Sequence, residues 1–449
     1  MPYEGEFASY KPLRRIAEAD RVKNLLKKSR TITPAQGNSK ALVPSLAPVS
    51  NAKLPDFAFA IDGSHAEVDV LNGYPGAKVG YVTVASVLLD LKRIDELDES
   101  RPIDPREFRK TEEASTLDAA MPGCNVVTRT HTSALESFRE ALYDNFLDVI
   151  VDSQDGRSLL DTYEALLGKR TSSSTACPYK DRAGCDRSFA IPEGTTSCPC
   201  SNGFPIYSTD ALRVHERFHD SGTNGEAFGE VMQVWERVLL IHLLRWFERK
   251  NLLEQIARIA FILDGPLAMF GHPAWLSPII KMELKRLNAV VRVQTGRDLL
   301  IIGIEKSGAF VTHFDEVDRT KTGEPFFPNG TYALLTDQYI KERIIFSSSD
   351  KPYGQDTYFG RKFFYKAKSG ARIVGTIPIL DDAQDDTCGD DVEKYPSFSS
   401  VCATLDKLVS SRFPNSVGPV ITAHSHAAIP LTLGTKVLEQ LARALVKTD

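Results

Sequence analysis

The sequence predicts a mixed α/β fold: short apolar runs stop at Asp-Gly or similar turn residues, amphipathic stretches at helical spacing lie between them, and no internal repeat period is present. The chain has 449 residues, enough for up to about three domains and for a large buried core without a disulfide or metal staple. Its 54 basic and 59 acidic residues leave a formal charge of −5. That excludes a uniformly basic coat but not a local basic patch that binds nucleic acid. No apolar run approaches the length that spans a bilayer, and the N-terminus lacks a basic flank followed by an apolar core. The few, odd-numbered cysteines argue against a disulfide framework, so a cytoplasmic protein without membrane contact is expected.

Taken in order, Lys11–Lys40 holds nine basic residues against two acidic ones. A helix over Leu13–Lys28 followed by a Ser/Thr/Pro/Ala-rich connector, Ser29–Ser50, is expected, so residues 1–54 read as a basic arm and linker. Phe57-Ala-Phe-Ala-Ile-Asp62-Gly63 reads as a strand ending at a turn, and Val79–Leu89 as a second buried strand. Residues 94–118 are acidic and read as helical or irregular; Ser133–Val151 reads as an amphipathic helix. Residues 171–219 form a cysteine-rich insertion, and Glu226–Arg258 a long helix or a broken pair. Ile259–Leu263 is a second apolar run ending in Asp264-Gly265. Leu299–Ile304, Tyr332–Leu335, Ile344–Phe346, Arg361–Tyr365 and Ile373–Pro378 read as further strands, Gly418–Ser425 as extended and Leu433–Val446 as a closing helix. Residues 55–170 and 220–449 are expected to form one body around the insertion. An acidic run, Asp381–Glu393, offsets the basic arm.

Two strands that end alike, Ile61-Asp62-Gly63-Ser64 and Leu263-Asp264-Gly265-Pro266, set two carboxylates at a sheet rim. Like charges that close are unfavourable without a cation between them, and hard oxygen ligands suit Mg²⁺ or Mn²⁺ and the activation of water. Asp-Gly also caps ordinary turns, so the repetition carries the reading. On an extended segment His424 and His426 share a face and either could ligate a metal or move a proton; a buried core histidine is the plain alternative. Lys306, directly after an apolar run, suits a phosphoryl oxyanion, or is simply solvated. Glu230 and Glu236 are candidates for a third carboxylate, with a solvated helix face as the alternative for both. Cys177, Cys185, Cys198 and Cys200 read as a closed structural zinc site. His215 and His219 are candidate substitutes for a cysteine, although a helix surface explains them better. Cys124, Cys388 and Cys402 are isolated. The sequence has no G-x-x-x-x-G-K-[ST] phosphate loop, G-x-S-x-G elbow, H-E-x-x-H motif or dinucleotide fingerprint.

Ile61-Asp62-Gly-Ser, Phe261-Ile-Leu-Asp264-Gly-Pro-Leu, Gly303-Ile-Glu-Lys306-Ser-Gly and Ala423-His424-Ser-His-Ala-Ala-Ile-Pro together resemble the NurA nuclease family, in the family's order. The resemblance implies a ribonuclease-H-like mixed sheet flanked by helices, here with a helical, zinc-knuckle-like insertion. It also implies a ring-shaped homodimer, Mn²⁺-dependent cleavage of DNA, and a HerA-type hexameric translocase as partner and source of ATPase activity. Such pairs process DNA ends, in repair or in defence against phage. Asp62 and Asp264 match the family's metal carboxylates and Glu236 its helical glutamate, with Glu230 in reserve. His424 matches the late Ala-His position with His426 beside it, Lys306 a phosphate-contacting lysine, and Asp337 a further acidic member. The short archaeal-type members lack the cysteine-rich insertion, so zinc is not implied by the core family. Two rivals remain: an inactive DNA-end or translocase adaptor, and a metal-dependent phosphatase of small molecules.

Overall fold

In the computed structural model, a nine-stranded sheet organises the chain. The structure describes residues 10–29, 42–48, 52–71, 76–96, 111–171, 174–180, 184–200, 203–319, 325–385, 389–409, 417–429 and 433–446. Cys388 and most of the Ser29–Ser50 connector lie outside them. The strands are β1 (Ser45–Leu46), β2 (Phe57–Leu71), β3 (Ala77–Asp90), β4 (Glu112–Pro122), β5 (Thr175–Ala176), β6 (Ser188–Phe189), β7 (Thr195–Ser197), β8 (Pro205–Tyr207), β9 (Ile259–Asp264), β10 (Leu300–Glu305), β11 (Thr331–Leu334), β12 (Gly360–Lys366) and β13 (Arg372–Pro378). The main sheet runs β1-β11-β12-β13-β10-β9-β2-β3-β4, while β5–β6 and β7–β8 form two small hairpins.

Strands β2, β3 and β4 make an antiparallel meander, after which β9 pairs parallel to β2 and β10 parallel to β9. The long helix Gly225–Arg249 precedes β9, and the helix Leu276–Thr295 links β9 to β10. This order of strands and crossovers is the ribonuclease-H-like arrangement. Beyond β10, the strands β13, β12, β11 and the short β1 widen the sheet, each antiparallel to its neighbour.

Alternation along the strands divides the core. Phe57, Phe59 and Ile61 of β2 and Phe261 and Leu263 of β9 pack against the long helix and its neighbours. Ala58 and Ala60 of β2, with Ala260 and Ile262 of β9, pack on the opposite face, beneath the helices Phe398–Leu408 and Gly418–Ala427. Burial on both faces explains the near-continuous apolar runs of the parallel strands.

Several elements differ from expectation. β2 does not stop at Asp62-Gly63; it runs on to Leu71, 15 residues in all, because β3 pairs with it along its length. Residues 112–122 form the edge strand β4, whose exposed acidic side chains hide the alternation of a buried strand. The connector contributes β1, paired with β11. Ile344–Phe346 is not a strand: Ile340–Ile344 is a helical turn, and Phe346 has a left-handed φ of 50°. The predicted 226–258 helix breaks after Arg249, where Asn251 takes a φ of 57°, and resumes briefly at Leu253–Ile256. Among its described residues, the basic arm holds two helices, Lys11–Glu18 and Asp20–Lys28, separated at extended Ala19, and neither buries a residue. Among the described residues no helix is long and apolar enough to cross a membrane.

Glu283 ties the two crossover helices together. Its side chain is fully buried and accepts from Arg245 (2.6 Å), Arg286 (2.9 and 3.1 Å) and Lys169. Burial alone would raise its pKa, but the hydrogen bonds from Arg286, Arg245 and Lys169 overcome this and hold it at about 2. A native value below the ordinary 4.5 means stability is present above that pH and lost as pH falls toward about 2. Glu283→Gln should cost about 3 kcal/mol in urea denaturation near neutrality. The cost should shrink as pH falls through that window; a pH-independent cost would show that charge is not what Glu283 contributes.

Candidate metal centre

The parallel register assembles the site. The β2–β9 pairing ends at Ile61 and Leu263, and the next residue on each strand is Asp62 and Asp264. Both fall on the face carrying the Gly418–Ala427 helix, as does Lys306 just beyond β10. Lys306 Nζ lies 3.5 Å from Asp62 Oδ2 and 3.1 Å from Asp264 Oδ2. His424 Nδ1 lies 2.9 Å from Asp62 Oδ2. One ligand atom each from Asp62, Asp264 and His424 falls within 4.8 Å of the others.

Asp62 is 2% exposed, whereas the His424 ring is more than half exposed and opens the cluster to solvent. Burial and the neighbouring Asp264 carboxylate push the Asp62 pKa up to about 6, although Lys306 and His424 pull against them. Two carboxylates and an imidazole, with one carboxylate stripped of water beside another, form a donor set that a hard divalent cation would relieve.

The histidine pair separates. Gly418–Ala427 is a helix, opened by Pro419 in its first turn, not an extended segment. Positions i and i+2 then point about 200° apart, so only His424 reaches the cluster and His426 stays exposed. The apolar Pro-Val-Ile-Thr-Ala stretch suits either conformation, and its packing over β2 and β3 decides for the helix.

Glu236 stands outside the cluster. It approaches from the opposite face and pairs with Arg237. Gly63 permits this approach: a Cβ there would lie 2.6 Å from Met232 Cγ and 2.8 Å from Glu236 Oε1. The Asp62-Gly63 glycine thus serves close packing, whereas Gly265, with a φ of 79°, does make the turn read from sequence. Glu230 is elsewhere, accepting from the His272 backbone N–H at 3.3 Å and facing Arg217. Asp337 is also remote, paired with Lys341 at 3.0 Å and accepting from the Tyr353 backbone N–H. Cys177, Cys185 and Cys198 converge in the insertion. His215 is not on a helix surface: it is buried in a short 3₁₀ turn with Nδ1 3.8 Å from Asp210.

Arg237 was missed as a site residue. Its buried guanidinium donates toward the carbonyls of Asp264 (3.4 Å) and Pro266 (3.2 Å), holding the turn after β9. Burial lowers its pKa to about 10 against the opposing pull of Asp264 and Asp62. The available signal was an arginine inside the apolar Val234-Trp-Glu-Arg-Val-Leu run.

A protein-family model described as the NurA domain matches residues 58–429. The chain belongs to the NurA family. The matched range takes in the clustered residues Asp62, Asp264, Lys306 and His424 and the cysteine-rich insertion. Among solved structures, the NurA nuclease from Sulfolobus solfataricus aligns over 97% of this chain and 96% of its own, at 11% identity and a TM-score of 0.31. A second crystal structure of NurA aligns over 89% and 90%, at 11% identity and a TM-score of 0.29. No curated protein matches the sequence.

Gly63→Ala should destabilise the NurA domain by about 1–3 kcal/mol by forcing Met232 and Glu236 away. Thermal denaturation checks this, and an unchanged midpoint would mean that the long helix is free to retreat.

Proposed function

We propose that the protein is a metal-dependent DNA nuclease whose centre is Asp62, Asp264 and His424. The convergence of those three side chains in a NurA domain is the observation that carries the reading. Asp62 and Asp264 would hold Mn²⁺, or Mg²⁺, through carboxylate oxygens, and His424 through a ring nitrogen. When bound, such an ion supplies an acidified water and Lewis acidity toward the phosphoryl oxygens. Lys306, already between the carboxylates, is positioned to contribute positive charge to a phosphate oxygen as DNA enters. Glu236 is assigned the part of positioning Asp62 from behind Gly63, with Arg237 holding its charge. Residues 55–170 and 220–449 would make up the nuclease body, 171–219 its insertion, and 1–54 a basic arm able to track phosphates.

The same reading makes the protein a homodimer acting on DNA ends with a HerA-type hexameric ATPase in the cytoplasm, in repair or phage defence. Support for this part is the family membership and the absence of a phosphate loop of its own.

Linear DNA and Mn²⁺, incubated with the full chain in the presence and absence of the cognate ATPase, test the proposal. Asp62→Ala should reduce cleavage to background with its circular dichroism spectrum unchanged. Cleavage near the parental rate in that variant would remove the carboxylate pair from the chemistry.

Metal binding should also depend on pH. The Asp62 value is raised from 3.8 to about 6, so the ion-free fold binds protons better than the unfolded chain between those limits and loses stability as pH rises through them. A cation must displace that proton. Mn²⁺ affinity measured by calorimetry should therefore fall up to about tenfold per pH unit below about 6, and a flat profile would exclude Asp62 as a ligand.

A further inference from the structure

The cysteine-rich insertion is built from two facing hairpins with one pair of cysteines on each. In the first, β5 pairs with β6, and the Cys177 N–H donates to the Arg187 carbonyl at 2.9 Å. Cys177 follows β5 and Cys185 precedes β6. In the second, β7 pairs with β8, and the Cys198 N–H donates to the Phe204 carbonyl at 2.7 Å. Cys198 follows β7, and Cys200 lies in the turn beside it. The two hairpins meet where Tyr179 stacks on Phe204, with ring centroids 4.1 Å apart.

The sulfurs converge at this meeting point. Cys177 Sγ and Cys185 Sγ lie 3.4 and 3.6 Å from Cys198 Sγ, and these three thiols fall within 4.8 Å of one another, with Cys200, two residues beyond Cys198, as the fourth candidate. None of the four is in a disulfide, and the separations of Cys177 and Cys185 from Cys198 are well beyond an S–S bond. Sulfurs at about 2.3 Å from a tetrahedral ion sit about 3.8 Å apart, close to the spacing here. His215 lies nearby, but its Nδ1 faces Asp210.

We propose that Cys177, Cys185, Cys198 and Cys200 hold a structural zinc ion that clamps the two hairpins together. Strands of two and three residues cannot stand on their own pairing, and ligation supplies the missing constraint as folding energy. The clamped unit is fastened to the nuclease body by Arg139 of the helix Ala134–Asp148. Arg139 donates to Asp210 (2.7 and 2.6 Å) and to the Pro205 carbonyl (2.9 Å), and its guanidinium lies 4.7 Å over the Tyr179 ring. Four ligands close the coordination sphere and leave no open position for substrate.

Metal analysis of the full-length protein, purified without added zinc, should find about one zinc per chain. X-ray absorption at the zinc edge should report sulfur ligands only, at about 2.3 Å. Cys198→Ser should lose that equivalent, while Cys124→Ser and Asp62→Ala keep it. Protein without zinc, zinc retained by Cys198→Ser, a mixed sulfur–nitrogen shell or iron in place of zinc would each overturn the proposal. If Cys198→Ser does not fold, the absorption spectrum of the parent protein decides alone. Zinc lost in Asp62→Ala would assign the ion to the nuclease centre instead, so this proposal fails separately from the nuclease reading.

Discussion

The site depends on one constraint: β9 runs parallel to β2 and to β10, in a register that carries Asp62, Asp264 and Lys306 to the same face. Two carboxylates are thereby forced together at a sheet rim, one almost wholly buried. Backbone pairing over five consecutive positions of β2 and β9 imposes this unfavourable contact. The relief comes from outside the pair, from the Lys306 ammonium and from an imidazole on a helix 362 residues along the chain. Nearby glycines follow from the same constraint. A Cβ on Gly303 of β10 would lie 2.7 Å from the Gly265 carbonyl, so the turn that releases Asp264 fits only against a bare backbone.

Legibility in the sequence followed local chemistry. Asp62 and Asp264 were readable because each ends an apolar run at glycine. Gly63 is not a turn glycine, because it lies within β2 against a helix that no local pattern announces. The Ala423-His424 motif shows in the sequence, but its helical conformation does not. A ten-residue apolar segment holding Gly and Pro does not reveal whether packing will make it helix or strand. Strands β1 and β4 escaped because edge strands bury too little to show a period. The crossover order of β2, β9 and β10 was not visible in the residues themselves; it entered through the family resemblance.

Charge on the surface is more paired than the sequence suggests. The acidic stretch after β13 does not stand free where it is described. Lys285 meets Asp382 at 2.7 Å, Lys281 meets Asp385 at 2.9 Å, and Arg292 approaches Asp381 at 3.7 Å. Such exposed pairs add little stability, but they lay that segment along the Leu276–Thr295 helix. The basic N-terminal helices differ: neither buries any residue, and Arg14–Glu18 is an ion pair within a single helix.

Behind the carboxylate face, Glu236 and Arg237 form a buried ion pair whose members are both about 5% exposed. Buried pairs seldom add net stability over apolar packing, because desolvating two charges offsets their attraction. Arg237 also leaves its Nε without a partner, a further cost. The pair makes sense through its neighbours. The guanidinium spans from Glu236 to the carbonyls on either side of Gly265, so the helix and the turn after β9 share one group. Rotating or sliding the long helix would pull the guanidinium off both carbonyls at once. The arrangement gives up stability to fix where Asp264 leaves its strand, and hence the distance between Asp62 and Asp264 on which the metal reading rests.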